Sequence, residues 1–450
     1  MRWLFAPCCL IRFTFADPVL ETFVGDASLK TASVGVFVTP LEGDEGVMAW
    51  QADLGLIPAS TLKAITTATA LQVLREEFVF ETRLFLKGDD LVLKGGGDPT
   101  LGATGVEADF RAWLMALKAV GISEVKGDVI ADASRFESRT TPNSWPWGDV
   151  GNYYGAGPSG LNFHLNSYSL TFQPGEVGGR AELVKTWPTP PGVVFENGML
   201  TGPAGSGDQG YVYGGPGATT ISLRGTVPSG GDFTIRGSLP DPALFCAVSL
   251  KKFLEENGIA VGGQAKVGKV DVEGSEPFHV QVSPSLKKII TATNHRSVNL
   301  YADSLFKALS PEGTTEASVK VLKEHWSEQG IDLTGFDPHD GSGLSPRDTV
   351  TARQMAMILK EARAHATGEI FRDSLPVAGR SGTMAGFGNG SAAEGKVWAK
   401  SGGLTRVRTY AGYFVGNSGR EYAFAVLTNN SVANPNAALE GLLSGLVKSR

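Results

Sequence analysis

The sequence has few cysteines and few histidines. Cysteine occurs three times in 450 residues, as Cys8, Cys9 and Cys246, and none of the three falls in a Cys-x-x-Cys or Cys/His metal spacing. The six histidines contain no His-Glu-x-x-His arrangement. These absences exclude a cysteine-based metal site and a zincin helix. No residue pattern calls for a metal or an organic cofactor.

Long apolar runs and clusters of basic residues are also missing. No stretch reaches the roughly 20 apolar residues of a membrane-spanning helix. The net charge is −6 and no Lys/Arg run supplies the electrostatic footprint of a nucleic-acid binder. The composition, 42% hydrophobic and 19% charged, is typical of a globular protein. The 58 glycines and 24 prolines predict many turns and much β-structure.

The N-terminus has the pattern of an export signal. Arg2 is followed by an apolar run from Trp3 to Ile11 and by the small or short residues Thr14 and Ala16. Residues 1–16 are therefore predicted to be a signal peptide, although Arg12 interrupts the apolar character, and a misassigned N-terminus is the alternative. The rest of the chain is expected to be periplasmic or otherwise extracytoplasmic, either free or peripheral at the membrane.

The two ends of the chain resemble each other in pattern, and the middle differs. Helix-like and strand-like segments occupy 17–90 and 283–450, whereas 91–282 consists of short apolar runs broken by Gly, Pro, Asn and Ser. This pattern predicts one discontinuous α/β domain around a β-rich insertion. The predicted strands are 32–39, 47–52, 396–401, 409–415 and 422–428, and the predicted helices are 58–74, 300–309, 316–329, 351–364 and 437–447.

A serine and a lysine open the first long helix. In Ser60-Thr-Leu-Lys63 the i, i+3 spacing places the hydroxyl and the amine on one helical face, where the amine can take the hydroxyl's proton. Taken alone the motif is weak, because Ser-x-x-Lys also occurs at Ser123, Ser249, Ser285 and Ser304.

Two rarer motifs follow in chain order. Ser297-Val-Asn299 is the single Ser-x-Asn of the sequence, and Lys400-Ser-Gly402 is the single Lys-[Ser/Thr]-Gly. Ser297 and Asn299 would not share a helix face, so we expect the motif in the loop before the 300–309 helix. Lys400 to Gly402 end a predicted strand, which suits a backbone edge offered to an extended substrate.

The three motifs together resemble those of the serine penicillin-recognising enzymes. The surrounding sequence is similar to the class C penicillin-binding proteins, the D-alanyl-D-alanine carboxypeptidase/endopeptidases, over nearly the whole chain. The segments that carry this resemblance are 91–101, 147–156, 340–345, 374–379 and 411–414. It implies an α/β fold in which an antiparallel sheet is flanked by helices, and an insertion that forms two small domains. It also implies peptidoglycan stem peptides as substrates and β-lactam antibiotics as ligands.

Two positions depart from the family pattern. Ser401 stands where threonine is usual, which keeps the hydroxyl. In Ser345-Pro-Arg347 a proline replaces the usual basic residue after the serine, so no substrate contact is carried over to Arg347.

The motifs give each residue a chemical role. Ser60 is the predicted nucleophile and Lys63 its general base, with the pKa of Lys63 lowered by burial and by the charge of Lys400. Ser297 relays a proton to the leaving amine and Asn299 holds the substrate's peptide bond. Lys400 and Ser401, with Gly402 beside them, bind the substrate's terminal carboxylate. By resemblance, the backbone N–H groups of Ser60 and Gly403 form the oxyanion hole.

One acidic residue of the insertion is a candidate for substrate selection. By resemblance, Asp149 reads the free ammonium of a diaminopimelate side chain, and the alternative is a solvated loop aspartate or a helix cap. The nearby Trp145, Trp147, Tyr153 and Tyr154 are interpreted as packing between domains rather than as a glycan-stacking platform.

Three other functions share these motifs. A β-lactamase must deacylate quickly, and the sequence has no Glu-x-x-Leu-Asn segment of the class A type to activate water. An esterase on the same scaffold would not explain the insertion. A non-hydrolytic peptidoglycan-binding or penicillin-sensing module would not need all five residues of the motifs.

Overall fold

A computed structural model describes residues 17–43 and 48–450. The predicted signal peptide, residues 1–16, lies outside the described residues, as does part of the turn after the first strand. The helices are α1 Pro18–Val24, α2 Leu62–Val73, α3 Ala108–Ala119, α4 Trp147–Val150, α5 Pro242–Glu256, α6 Leu286–Arg296, α7 Asn299–Ala308, α8 Thr315–Glu328, α9 Ala352–Ala364, α10 Gly368–Asp373 and α11 Asn436–Ser449.

The strands form five sheets within the described residues. They are β1 Ser33–Pro40, β2 Met48–Trp50, β3 Glu81–Lys87, β4 Asp90–Lys94, β5 Glu124–Val125, β6 Val129–Asp132, β7 Ser167–Gln173, β8 Glu182–Trp187, β9 Val194–Asn197, β10 Leu200–Gly202, β11 Gln209–Tyr213, β12 Thr220–Pro228, β13 Phe233–Ser238, β14 Ala260–Val261, β15 Ala265–Val267, β16 His279–Val282, β17 Val397–Leu404, β18 Val407–Val415 and β19 Glu421–Asn429.

The first of these sheets joins the two ends of the chain. Its order is β17-β18-β19-β1-β2 and every neighbouring pair is antiparallel. Alternate side chains of β19 are buried on opposite faces. Ala425 and Leu427 pack towards the cluster that contains α2 and α9, while Phe424 and Val426 pack towards α1 and α11. Both faces of this sheet are therefore covered, and β17 lies at its edge.

Helix α2 lies at the centre of the larger cluster. Ten of its twelve residues are buried, because α6, α7, α8 and α9 pack around it. Its polar side chains find partners inside this packing: the Thr69 hydroxyl bonds the carbonyl of Ile65 and accepts the indole N–H of Trp326 at 2.8 Å. The helix that carries the candidate base is thus held from nearly all sides.

The middle of the chain is richer in helix than the sequence predicted. Strands β3 to β16 form the other four sheets, and α3 and α5 pack among them, with Trp113 and Leu250 fully buried. The predicted division at residue 91 stays a prediction. Because β4 (90–94) pairs with β3 (81–87), and β3 pairs with β16, the hydrogen bonding favours placing that division before Glu81.

The predicted elements at the two ends of the chain match the observed ones within a few residues. The predicted helix 58–74 consists of a 3₁₀ helix, Ala59–Thr61, followed by α2, and the predicted strand 396–401 extends to Leu404. Helices α1, α6 and α10 have no counterpart among the predicted elements. The expectation for the second motif was wrong, because Asn299 is the first residue of α7 rather than part of a loop. Among the described residues, no helix has both the length and the hydrophobicity to cross a membrane.

The β19 core gives a stability prediction. Leu427 is fully buried, so Leu427→Ala should lower the free energy of unfolding by about 2–5 kcal/mol through lost burial and the cavity left behind. Leu54 is 41% exposed, and Leu54→Ala should cost less than about 1 kcal/mol. Urea denaturation of both variants measures the difference; equal losses would contradict the assignment of Leu427 to the core.

Candidate active site

Ser60 lies on a tight turn between the sheet and α2. It is the middle residue of the 3₁₀ helix Ala59–Thr61, and the preceding Ala59 has a φ of 47°. The carbonyl of Pro58 accepts hydroxyl hydrogen bonds from Thr61 at 2.7 Å and from Thr409 at 2.6 Å. The Thr61 bond closes the turn on itself and the Thr409 bond joins it to strand β18. Ser60 is left partly exposed.

Two glycines let other backbones approach this turn. A Cβ on Gly402 would lie 2.8 Å from the Pro58 carbonyl oxygen and 2.9 Å from the Thr61 nitrogen. A Cβ on Gly343, which has a φ of 77°, would overlap the carbonyl of Ala59. The Ser60 turn is consequently enclosed between strand β17 and the 340–345 loop.

Lys63 is fully buried one helical turn after Ser60. Its Nζ lies 2.9 Å from Ser60 Oγ, 2.6 Å from Asn299 Oδ1 and 2.6 Å from the carbonyl oxygen of Ser342. The partners come from the nucleophile turn, from α7 and from the 340–345 loop. The amine is thus fixed on three sides, with the serine hydroxyl as one of its neighbours.

The pKa of Lys63 reflects two opposing effects. Burial lowers it from 10.5 to about 8, whereas the carboxylates of Asp303, Asp340 and Asp348 act to raise it. The positive charge of Lys63, after burial, also lowers the pKa of Lys400. Burial, one of the two predicted causes for Lys63, is the largest cause for both lysines.

The second motif lies between two helices. Ser297 ends α6 in the left-handed conformation, with a φ of 55°, and Asn299 begins α7. Asn299 accepts a hydrogen bond from Lys63 through Oδ1 and donates through Nδ2 to the Tyr154 carbonyl at 2.7 Å. The structure therefore brings Ser60, Lys63 and Asn299 together directly.

The third motif lies on the edge strand β17. Lys400 is fully buried and its Nζ donates to the carbonyl of Ser401 at 2.7 Å, but it forms no ion pair with any described residue. The Ser401 hydroxyl bonds Thr383 Oγ1 at 2.8 Å, and Gly403 is exposed. This leaves the Lys400 cation available for an anionic group of a substrate.

Asp149 is joined to the Ser60 site by a short hydrogen-bond chain. Its Oδ1 accepts the Tyr154 hydroxyl at 3.0 Å, and the Tyr154 carbonyl accepts from Asn299. Asp149 is half-buried, and that burial raises its pKa. The carboxylate thus lies on the segment that contacts the second motif.

The four aromatic residues near Asp149 have different surroundings. Trp145 is buried and its indole N–H donates to Asp340 Oδ2 at 2.7 Å, which matches the packing interpretation. Trp147 and Tyr153 are exposed, and the guanidinium of Arg236 lies 3.9 Å above the Tyr153 ring. The packing interpretation therefore fits Trp145 and Tyr154, which pack in one cluster with Leu344, and does not fit the exposed Trp147 and Tyr153.

Sequence reasoning missed the carboxylates beneath Lys63. Asp303, Asp340 and Asp348 are all buried, and burial raises the pKa of Asp303 and of Asp348. One signal was available: Asn299 and Asp303 are four residues apart and share a face of α7.

Among residues 17–43 and 48–450, no group of three or more His, Cys, Asp or Glu side chains has an arrangement suited to a metal ion.

Comparisons with known proteins agree with this geometry. The chain is 30% identical over 444 residues to a D-alanyl-D-alanine carboxypeptidase of Actinomadura sp. (strain R39), which covers 93% of this chain and 81% of that protein. It is 23% identical to the D-alanyl-D-alanine carboxypeptidase DacB of Haemophilus influenzae, over 93% of this chain and 91% of that one. The crystal structure of penicillin binding protein 4 (dacB) from Haemophilus influenzae superposes with a TM-score of 0.83 at 21% identity, covering 96% of this chain and 98% of that chain.

The predicted fold class is confirmed by this superposition, since the likeness extends over nearly the whole of both chains. The family model described as D-Ala-D-Ala carboxypeptidase 3 (S13) matches residues 17–444. The chain therefore belongs to the D-Ala-D-Ala carboxypeptidase 3 (S13) family and is a serine-type D-Ala-D-Ala carboxypeptidase.

Proposed function

We propose that the protein cleaves D-Ala-D-Ala stem peptides of peptidoglycan through an acyl-enzyme on Ser60. The observation that carries this assignment is the 2.9 Å contact between Ser60 Oγ and the fully buried amine of Lys63. Burial favours the neutral amine, which is the form able to accept the serine proton. Attack by Ser60 releases D-alanine from a stem terminus, or the amine of a second stem where that amine is bonded to the D-alanine carbonyl in a cross-link, and water then hydrolyses the acyl-enzyme.

The hydrogen bonds of Lys63 define the direction of proton transfer. A neutral amine has two N–H groups and one lone pair. Asn299 Oδ1 and the Ser342 carbonyl oxygen only accept hydrogen bonds, so each takes one N–H. The lone pair is then left facing the Ser60 hydroxyl, which donates its proton as the oxygen attacks the peptide carbonyl.

The remaining site residues act on the substrate. Lys400, with Ser401 and Gly402 on the edge strand, binds the terminal carboxylate, and its lack of an ion pair among the described residues supports this role. Asn299 holds the peptide bond and Ser297 relays the proton to the leaving D-alanine. The N–H groups of Ser60 and Gly403 stabilise the oxyanion.

We assign Asp149 to recognition of a cationic side chain on the stem peptide. Its carboxylate is half-buried, next to tyrosine rings, and is tied through Tyr154 to Asn299. A carboxylate held in such a partly desolvated wall suits the free ammonium of diaminopimelate.

Because peptidoglycan lies outside the cytoplasm, the protein is assigned to an extracytoplasmic location, the periplasm. β-Lactam antibiotics are its expected inhibitors.

Covalent labelling tests the acyl-enzyme. Benzylpenicillin should add its full mass to the protein, and the adduct should be found on the peptide that contains Ser60. Lys63→Ala should lower the acylation rate at least 100-fold, because the proton acceptor is removed. Ser285→Ala, an exposed serine of a chance Ser-x-x-Lys match, should leave the rate unchanged. Intact-mass kinetics measure both; an adduct on another serine would contradict the assignment.

The pKa of Lys63 predicts a pH dependence. Since burial lowers that pKa to about 8, the neutral base is scarce below pH 8 and abundant above it. For a neutral ester substrate, which needs no Lys400 anchor, kcat/KM should rise about tenfold per pH unit below pH 8 and then level off. Stopped-flow measurements from pH 6 to 10 check the profile; a flat profile would exclude Lys63 as the base.

Asp149 predicts a substrate preference. A charge-assisted hydrogen bond contributes about 1.5–3 kcal/mol, so Asp149→Asn should lower kcat/KM about 10- to 150-fold for a diaminopimelate peptide. The asparagine Oδ1 can still accept the Tyr154 hydroxyl, which keeps the loop in place. A peptide with the amine acetylated should be a poor substrate for both proteins. If both peptides lose activity equally, Asp149 is structural.

A further inference from the structure

The Asp340 carboxylate is the centre of the 340–345 loop. It is 3% exposed and accepts four N–H hydrogen bonds. Oδ1 accepts the backbone N–H of Ser342 at 3.0 Å and of Gly343 at 2.6 Å. Oδ2 accepts the N–H of Ser345 at 2.8 Å and the indole N–H of Trp145 at 2.7 Å. One buried side chain thus sets the path of the loop.

This loop carries an acceptor that the base requires. The Ser342 carbonyl oxygen lies 2.6 Å from Lys63 Nζ. Two hydrogen bonds fix the backbone of the preceding residue, Gly341. Its N–H donates to the Asp303 carboxylate, and its carbonyl accepts from the Thr66 hydroxyl. The direction of the Ser342 carbonyl is therefore fixed. Because this carbonyl accepts one N–H of the neutral Lys63 amine, the direction of the amine's lone pair is fixed as well.

We propose that Asp340 is a positioning residue that acts through Lys63. Its carboxylate holds the Ser342 carbonyl against the amine, and its bond to Trp145 ties the middle of the chain to the catalytic base. This inference rests on the proposed role of Lys63 as general base. A loop residue with only a structural role would stabilise the loop, whereas Asp340 also affects proton transfer by Lys63.

The charge of Asp340 provides a readout that a structural role would not change. Asp340 faces Lys63 together with Asp303, Asp348 and the cation Lys400. The carboxylates raise the pKa of Lys63, so loss of one negative charge lowers that pKa. The pH at which the acylation rate is half-maximal then moves to lower values.

The test is the pH profile of acylation by a neutral ester for wild type and Asp340→Asn. An amide offers one acceptor oxygen for four donors, so the plateau rate should fall about 10- to 100-fold. The half-maximal pH should also decrease. Asp337→Asn is the matched control, because this exposed carboxylate lies on the same segment and pairs with His339. Its plateau and half-maximal pH should equal those of wild type.

Trp145→Phe keeps the carboxylate and removes one donor. The plateau rate of acylation by this variant should fall about 3- to 10-fold with no change in the half-maximal pH. This variant tests the positioning role if Asp340→Asn does not fold. A wild-type rate in either folded variant, or a reduced Asp340→Asn rate with an unchanged half-maximal pH, would overturn the inference. A wild-type protein that is not acylated at Ser60 would instead overturn the proposed function.

Discussion

A lysine amine that is completely buried needs a hydrogen-bond partner for each of its N–H groups and, when neutral, for its lone pair. Lys63 meets this constraint with Ser60 Oγ, Asn299 Oδ1 and the Ser342 carbonyl, of which the last two lie 236 and 279 residues away in the sequence. Helix α2 packs inside α6 to α9. This arrangement brings two distant segments, α7 and the 340–345 loop, to the Lys63 nitrogen atom.

The electrostatics of the junction balance two demands on a general base. An amine that is always protonated cannot accept a proton, and one with a very low pKa accepts it weakly. Burial pushes the pKa of Lys63 down, and the carboxylates of Asp303, Asp340 and Asp348 push it back towards its ordinary value. Lys400 forms no ion pair with a carboxylate among the described residues, and burial lowers its pKa. A substrate carboxylate would supply the missing negative charge.

The sequence predicted the elements at the two ends of the chain well, because their apolar spacing is regular and their boundaries carry Pro and Gly. It also selected Ser60, Lys63, Asn299 and Lys400 by motif, and the structure brings the first three into direct contact. It did not predict α3 and α5, which are amphipathic helices within a Gly- and Pro-rich region. The opposing influence of Asp348 on Lys63 was also beyond reach, since it depends on a loop fold that no local pattern encodes.

The nucleophile turn and the base share one support. Gly343 allows the 340–345 loop to touch the backbone of Ala59, and Ser342 of the same loop contacts Lys63. The backbone of the nucleophile turn and the amine of Lys63 are thus both in contact with this one loop. Trp145, from the middle of the chain, donates a hydrogen bond to Asp340 of this loop. Asn299 donates to the Tyr154 carbonyl, and the Tyr154 hydroxyl donates to Asp149. The segment proposed to recognise the stem peptide is thus joined by hydrogen bonds to Asn299, which contacts the proposed base Lys63.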